Sequence, residues 1–242
     1  WFSESGKLVT KLFDHIKDMV DDEDALVCVL IDEVESLTAA RSGAAGGAEP
    51  SDAIRVVNAV LTQIDQLRQR DNVLILTTSN ISEAIDLAFV DRADIKQYIG
   101  LPSADARYTI LASCFRELAR AGIVRSVDGL PVLVPCLSDA KLICRNHASG
   151  IATPGLPAGV DVPMVLALAQ AATDSEGLSG RALRKLPFQA HAFFAGGATM
   201  MAPAAFAVCL VHAAAKEQQS RRDLALTSIK SANGPAAAST KK

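Results

Sequence analysis

No G-x-x-x-x-G-K-[ST] phosphate loop occurs anywhere in the 242 residues. The phosphate-cradling amides and lysine of a self-contained P-loop are therefore not in this stretch of chain. The five cysteines, at positions 28, 114, 136, 144 and 209, form no C-x-x-C pair and no zinc-type cluster with the four histidines. Buried, reduced thiols in an intracellular protein are the expectation instead. Positive charge is not in excess either. The net charge is −3, which gives no electrostatic case for nucleic acid as the main partner. No signal peptide is visible, and the chain opens on Trp1 rather than Met, in mid-pattern, as a fragment of a longer chain does. One long uncharged stretch exists, from Leu186 to Ala215, long enough in principle to span a bilayer. Gly196-Gly197 and Pro203 break it, and it carries His191 and His212. Two buried helices joined by a glycine turn are the better reading.

What is present begins at Leu26-Val-Cys-Val-Leu-Ile-Asp-Glu33, where six apolar residues stop at two adjacent carboxylates. A strand covered on both faces in a parallel sheet reads as a continuous apolar run. Ligands of such sheets bind beyond the carboxyl ends of the strands, where Asp32 and Glu33 fall. This is the pattern of a Walker B strand. In nucleotide hydrolysis one carboxylate helps to hold Mg²⁺ and another acceptor takes a proton from the attacking water. Asp32 suits the first role and Glu33 the second. The plainer alternative is a core strand that ends in a solvated acidic turn.

The length suits one large domain or two small ones, and half the residues are apolar. Gly6 to Val20 reads as a helix with Leu8, Leu12, Ile16 and Met19 on one face. Asp21 to Asp24 is an acidic turn. Glu35 to Arg41 reads as a short helix and Ser42 to Pro50 as a Gly/Ala-rich loop. Ser51 and Asp52 suit the start of a helix with Ile54, Val57, Leu61 and Ile64 on its apolar face. A second buried strand reads from Asn72 to Thr78, with the apolar run Val73 to Leu76, and ends in Thr77-Thr78-Ser79-Asn80. Ser82 fits the cap of a short helix, and Ile95 to Ile99 reads as a third strand. Strands alternating with helices imply a parallel α/β sheet to this point.

After Pro102 the pattern is helical. Tyr108, Leu111, Phe115 and Leu118 make one stripe, with Gly122 placed to end the helix. Residues 123–160 resolve poorly, with Gly and Pro throughout. Pro163–Thr173, Ser179–Phe194 and Pro203–Gln219 read as helices, with Pro187 expected to kink or interrupt the second. The tail from Ser231 reads as disordered. No internal repeat is present. The expected division is 1–102, 103–230 and a tail of 231–242.

The order of these motifs resembles an AAA+ ATPase, and more narrowly the pachytene-checkpoint AAA+ family, that of thyroid receptor-interacting protein 13. The closer match is carried by Trp-Phe-Ser-Glu-Ser-Gly-Lys at 1–7, by Leu-Ile-Asp-Glu-Val-Glu-Ser-Leu-Thr-Ala-Ala-Arg at 30–41 and by the run from Glu49 to Asp65. Phe-Val-Asp-Arg-Ala-Asp-Ile-Lys-Gln-Tyr-Ile-Gly at 89–100 and Gly-Leu-Ser-Gly-Arg-Ala-Leu-Arg-Lys-Leu-Pro-Phe at 177–188 complete it. The match is strong over 1–102 and 176–194 and weak over 122–160 and the tail. The implied fold is an α/β AAA+ P-loop NTPase core, here a partial parallel sheet without its first two strands, followed by an all-helical lid. In the family the sheet order is 5-1-4-3-2, with the first strand at the centre, so this chain holds the third, fourth and fifth.

The resemblance also implies roles. Trp1 and Phe2 match an aromatic pore loop that grips a substrate polypeptide; an ordinary helix-flanking aromatic pair is the alternative. Asn80 matches sensor 1, which orients water with Glu33; a turn Asn after a strand is common. Arg92 matches the arginine finger, supplied to a neighbour's nucleotide, against a surface ion pair with Asp91 or Asp94. Arg181 matches sensor 2, at a helix start where guanidinium and N-terminus both favour phosphate, against a solvated arginine. The implied cofactors are ATP and Mg²⁺, with Asp32 holding the metal indirectly. The implied assembly is a homo-hexamer acting on HORMA-domain proteins with a HORMA-type adaptor, without direct nucleic-acid or membrane contact. The implied setting is the nucleus and chromosomes, with the cytoplasm second. The 242 residues alone are expected to bind no ATP. A truncated non-catalytic subunit and a different AAA+ remodeller are the alternatives.

Overall fold

The computed structural model describes residues 4–36, 51–80 and 87–232. The expected pore-loop pair Trp1 and Phe2, the chain from Leu37 to Pro50, the capping at Ser51 and Asp52, Ser82, and the last ten residues lie outside the described residues or side chains. The chain divides into two compact units, Trp1–Tyr98 and Ile99–Lys242. Each has its own apolar core.

The first unit runs α1 (Glu4–Val20), β1 (Val27–Ile31), α2 (Ser51–Leu67), β2 (Val73–Thr77) and the short α3 (Leu87–Val90). β1 and β2 pair in parallel, with Val27 opposite Val73 and Ile31 opposite Thr77. A parallel pair needs a crossover, and α2 supplies it. Asn72 fixes the approach to both strands: its side-chain amide donates to the carbonyls of Val20, Asp22 and Ala25. Its own carbonyl accepts from the Val27 N–H at 2.9 Å. The end of α1 and the starts of both strands are thus tied at one residue.

Three expectations fail in this unit. The buried face of α1 carries Phe13 and Val20, with Val9 and Ile16 packed beside them, while Leu8, Leu12 and Met19 are exposed. Both stripes fit a helical period; packing on Val57, Val60, Leu61 and Ile64 of α2 selects the one with the aromatic ring. The strands are not covered on both faces either. Val27, Val29, Ile31, Val73 and Ile75 pack on the core, whereas Cys28, Leu30, Leu74 and Leu76 are exposed, Leu30 at 62%. Cys28 is therefore not the buried thiol expected, and Cys136 is exposed as well. The third strand does not form. Residues 95–99 pair with no strand among the described residues, and Ile95 and Ile99 are each 87% exposed. An apolar run becomes a strand only when an adjacent strand meets its backbone groups.

The second unit is helical: α4 (Ala104–Arg120), α5 (Leu137–Ala148), α6 (Val162–Asp174), α7 (Gly180–Phe194) and α8 (Pro203–Ala232). Side-chain oxygens cap three of them: Ser103 accepts from Ala106 N–H, Asp161 from Met164 N–H and Ser179 from Ala182 N–H. The α4 stripe buries Tyr108, Leu111 and Phe115, and Gly122 follows it with φ of 76°. α5 was not legible among its flanking Gly and Pro residues, although Leu137, Ala140 and Ile143 carry a helical period. Pro187 does not interrupt α7. It is buried beside Leu183 and Leu186, and the packing of that face outweighs the lost backbone bond. The uncharged stretch resolves into α7 and α8 with positive-φ Gly196 and Gly197 between them. No described helix is long and apolar enough to cross a membrane.

Arg107 is buried and has no carboxylate partner among the described residues. It donates to Ala172 O at 2.7 Å and Pro102 O at 3.1 Å. Ala172 lies in the last turn of α6, where carbonyl dipoles favour a cation. The centre of this core is the edge-to-face pair Phe115–Phe206, with ring centroids 5.9 Å apart and planes at 73°. Both rings are fully buried. Phe115→Ala is expected to destabilise the helical unit by about 3–5 kcal/mol, read as a lowered urea midpoint.

Candidate functional site

The parallel register brings the two strand ends together. Because Ile31 faces Thr77, the next residues, Asp32-Glu33 and Thr78-Ser79-Asn80, leave the sheet side by side. Thr78 N–H donates to Ile31 O at 3.0 Å, and Val34 N–H donates to Thr78 O at 3.0 Å. The Thr78 hydroxyl donates to Asp32 Oδ1 and accepts from Glu33 N–H at 3.1 Å. Asn80 N–H donates to Glu35 Oε1 at 3.1 Å. Asn80 Nδ2 stands 3.5 Å from Glu33 Oε1, the outer limit of a hydrogen bond. Asp32, Glu33 and Asn80 are exposed, open to a ligand beyond the strand ends.

Glu33 has φ of 55°, the one non-glycine residue with positive φ among those described. That conformation costs an L-residue roughly 1–2 kcal/mol and persists where surrounding bonds fix it. The left-handed turn redirects the chain after Asp32, so Glu33 meets Asn80, just past the end of the neighbouring strand. A third carboxylate stands close by. The Ser79 hydroxyl, followed by backbone N–H groups, holds the Glu35 carboxyl below the usual carboxylate range. Sequence reasoning picked out Asp32, Glu33 and Asn80 but assigned nothing to Thr78 or Glu35. Their signal was position alone, flanking the acidic pair on the paired strand ends.

Arg92 is not part of this cluster in its own chain. Its Nε and Nη2 donate to Asp65 Oδ1 and Oδ2, both at 2.8 Å, and its Nη1 donates to Ala88 O at 2.8 Å. The ion-pair partner expected, Asp91 or Asp94, is thus corrected to Asp65 on α2, while Asp94 pairs with Arg68. The bidentate bond to Arg92 holds the Asp65 carboxyl low.

In the helical unit Arg181 occupies the first turn of α7 and is exposed. It lines a cleft of about 300 Å³ between α7 and α8 with Ser179, Lys185, Gln189, Glu217 and Arg221. Glu217 accepts from Gln189 and from Arg221, each at 3.2 Å. Arg181 makes no ion pair among the described residues. The cleft is therefore net basic, with a helix start in its wall.

Two family models match the chain. The AAA model, "ATPase family associated with various cellular activities", matches residues 1–101. The model "TRIP13-like, AAA+ ATPase lid C-terminal domain" matches residues 103–218. The chain is 56% identical over 196 residues to pachytene checkpoint protein 2 homolog of Mus musculus and 52% identical over 227 residues to that of Homo sapiens. These alignments take in 80% and 93% of this chain. The chain belongs to the pachytene-checkpoint AAA+ family. It spans about half the length of these curated relatives, 41% and 48%. Among solved structures, that of C. elegans PCH-2 superposes with a TM-score of 0.64 at 41% identity, covering 91% of this chain and 50% of that one. The AAA domain of FIGL-1 with ADP superposes with a TM-score of 0.51 at 19% identity, covering 98% and 66%, a likeness of fold. The AAA+ α/β core followed by a helical lid, as the family requires, is the architecture seen: β1 and β2 are adjacent and parallel and the second unit is all helix.

Proposed function

We propose that this chain carries the hydrolytic strand ends and the lid of an ATP-driven protein remodeller. The single observation that carries the reading is the cluster Asp32, Glu33 and Asn80 at the carboxyl ends of two parallel strands in a chain of this family. The Asp32 and Glu33 carboxylates at that edge present oxygen, the donor type that suits Mg²⁺. Mg²⁺, when bound, neutralises phosphate charge, and Asp32 would hold it through water. Glu33 takes the proton of the attacking water, and Asn80 orients that water beside it. Arg92 completes a neighbouring subunit's site, which requires a closed ring, here a hexamer. Arg181 reaches nucleotide phosphate from the α7 start.

The proposed substrates are HORMA-domain proteins, presented by a HORMA-type adaptor, in meiotic chromosome-axis and spindle-checkpoint control in the nucleus. The relatives' name, pachytene checkpoint protein 2 homolog, supports the meiotic-checkpoint setting, and the HORMA-domain substrate rests on the family resemblance. Remodelling by threading assigns the aromatic pair Trp1-Phe2 to the pore. The test is ATP-dependent conversion of a closed HORMA-domain protein to its open state by the full-length protein. Trp1→Ala is expected to leave ATP turnover in place and abolish that conversion; undiminished conversion removes the pore role.

A further inference from the structure

Thr78 has no part in the reaction as described so far, yet it makes four hydrogen bonds around the acidic pair. Its backbone binds Ile31 O and Val34 N–H, on either side of Asp32 and Glu33. Its hydroxyl donates to Asp32 Oδ1 and accepts from Glu33 N–H. A hydroxyl has one hydrogen and two lone pairs, so both side-chain bonds form together. The second of them satisfies the amide of the residue held at φ of 55°. The branched Cβ of threonine restricts χ1, which keeps the hydroxyl aimed at both groups. The neighbouring Asn80 then meets a Glu33 carboxylate whose backbone is already fixed.

We infer that Thr78 is a positioning residue for hydrolysis, its hydroxyl setting the Asp32 carboxylate and the left-handed backbone of Glu33 as one unit. The inference rests on the roles given to Asp32 and Glu33 above. Thr78→Val keeps the shape and removes both side-chain bonds. Outer partners of this kind are worth about 10–100-fold in activity or metal affinity.

In the full-length protein, Thr78→Val is expected to lower kcat by about 10–100-fold with the ATP dissociation constant little changed. It should also raise the Mg²⁺ concentration needed for half-maximal turnover. Thr78→Ser, which keeps the hydroxyl, should recover most of the loss. Amide hydrogen exchange over Val27–Glu35 without nucleotide should quicken in Thr78→Val and return toward the parent rate in Thr78→Ser. Unchanged exchange in Thr78→Val overturns the inference, and so does a kcat equal to the parent's when Glu33→Gln is inactive. If Glu33→Gln is itself fully active, the hydrolytic reading of the site fails instead, and the exchange measurement still decides whether Thr78 fixes Glu33.

Discussion

Glu33→Gln in the full-length protein is expected to cut ATP turnover by about 10²–10⁴, the range for loss of a positioned general base, while ATP stays bound. The substitution is nearly isosteric. It leaves the Glu33 N–H bond to the Thr78 hydroxyl, because that bond belongs to the backbone. It leaves Asp32, which accepts from the same hydroxyl, in place. It removes only the ability of the side chain to accept a proton. The amide can still lie beside Asn80, so the water-binding geometry survives without the base. Steady-state turnover and nucleotide binding, measured on the same preparation, separate these effects. Turnover equal to the parent protein removes Glu33 as the base and leaves the acidic strand end as a solvated turn.

The strand-end cluster was legible because it depends on chain order and parallel register. An apolar run that ends in two carboxylates, and another that ends in Thr-Thr-Ser-Asn, meet at their ends if the strands pair in register, as Ile31 and Thr77 do. The φ of Glu33 was not legible, because nothing in a Glu side chain favours the left-handed region. It follows from bonds across to Thr78, forty-five residues away. Arg92 shows the same limit. Its near neighbours Asp91 and Asp94 were natural partners by sequence, and the guanidinium instead turns to Asp65 on the crossover helix.

In the helical unit, long stripes such as Tyr108-Leu111-Phe115 were readable because a wide apolar face has one way to be buried. The α1 face was misread because two stripes compete on one helix, and only the partner helix decides between them. The segment 95–99 was misread for a related reason. Apolar content predicts burial, but a strand also needs an edge to bind, and none lies beside these residues among those described. Pro187 was expected to kink or interrupt α7, and the helix runs through it uninterrupted, with the proline buried beside Leu183 and Leu186.

Arg92→Ala is expected to have the largest effect, about 10³–10⁵ in turnover, the measured worth of an arginine finger in phosphoryl transfer. That corresponds to roughly 4–7 kcal/mol of transition-state stabilisation. Against it stands the Asp65 pair, which Arg92 must exchange for phosphate to act in a neighbour. Both partners are partly exposed, at 30% and 47%; exposed pairs contribute about 0–1 kcal/mol, and the bidentate geometry puts this one at the upper end of that range. On the proposed role the phosphate therefore wins, and the Asp65 pair is the contact Arg92 gives up. Asp65→Ala should accordingly change turnover by less than about tenfold, given so weak a pair. If it is as damaging as Arg92→Ala, the arginine works by holding α2 and not by reaching phosphate. Mixing decides the direction of action. Arg92→Ala subunits retain Glu33, and Glu33→Gln subunits retain Arg92, so assemblies of the two regain turnover only if Arg92 serves the neighbouring site. No recovery on mixing, with both variants assembled, places Arg92 in its own subunit's chemistry or outside it.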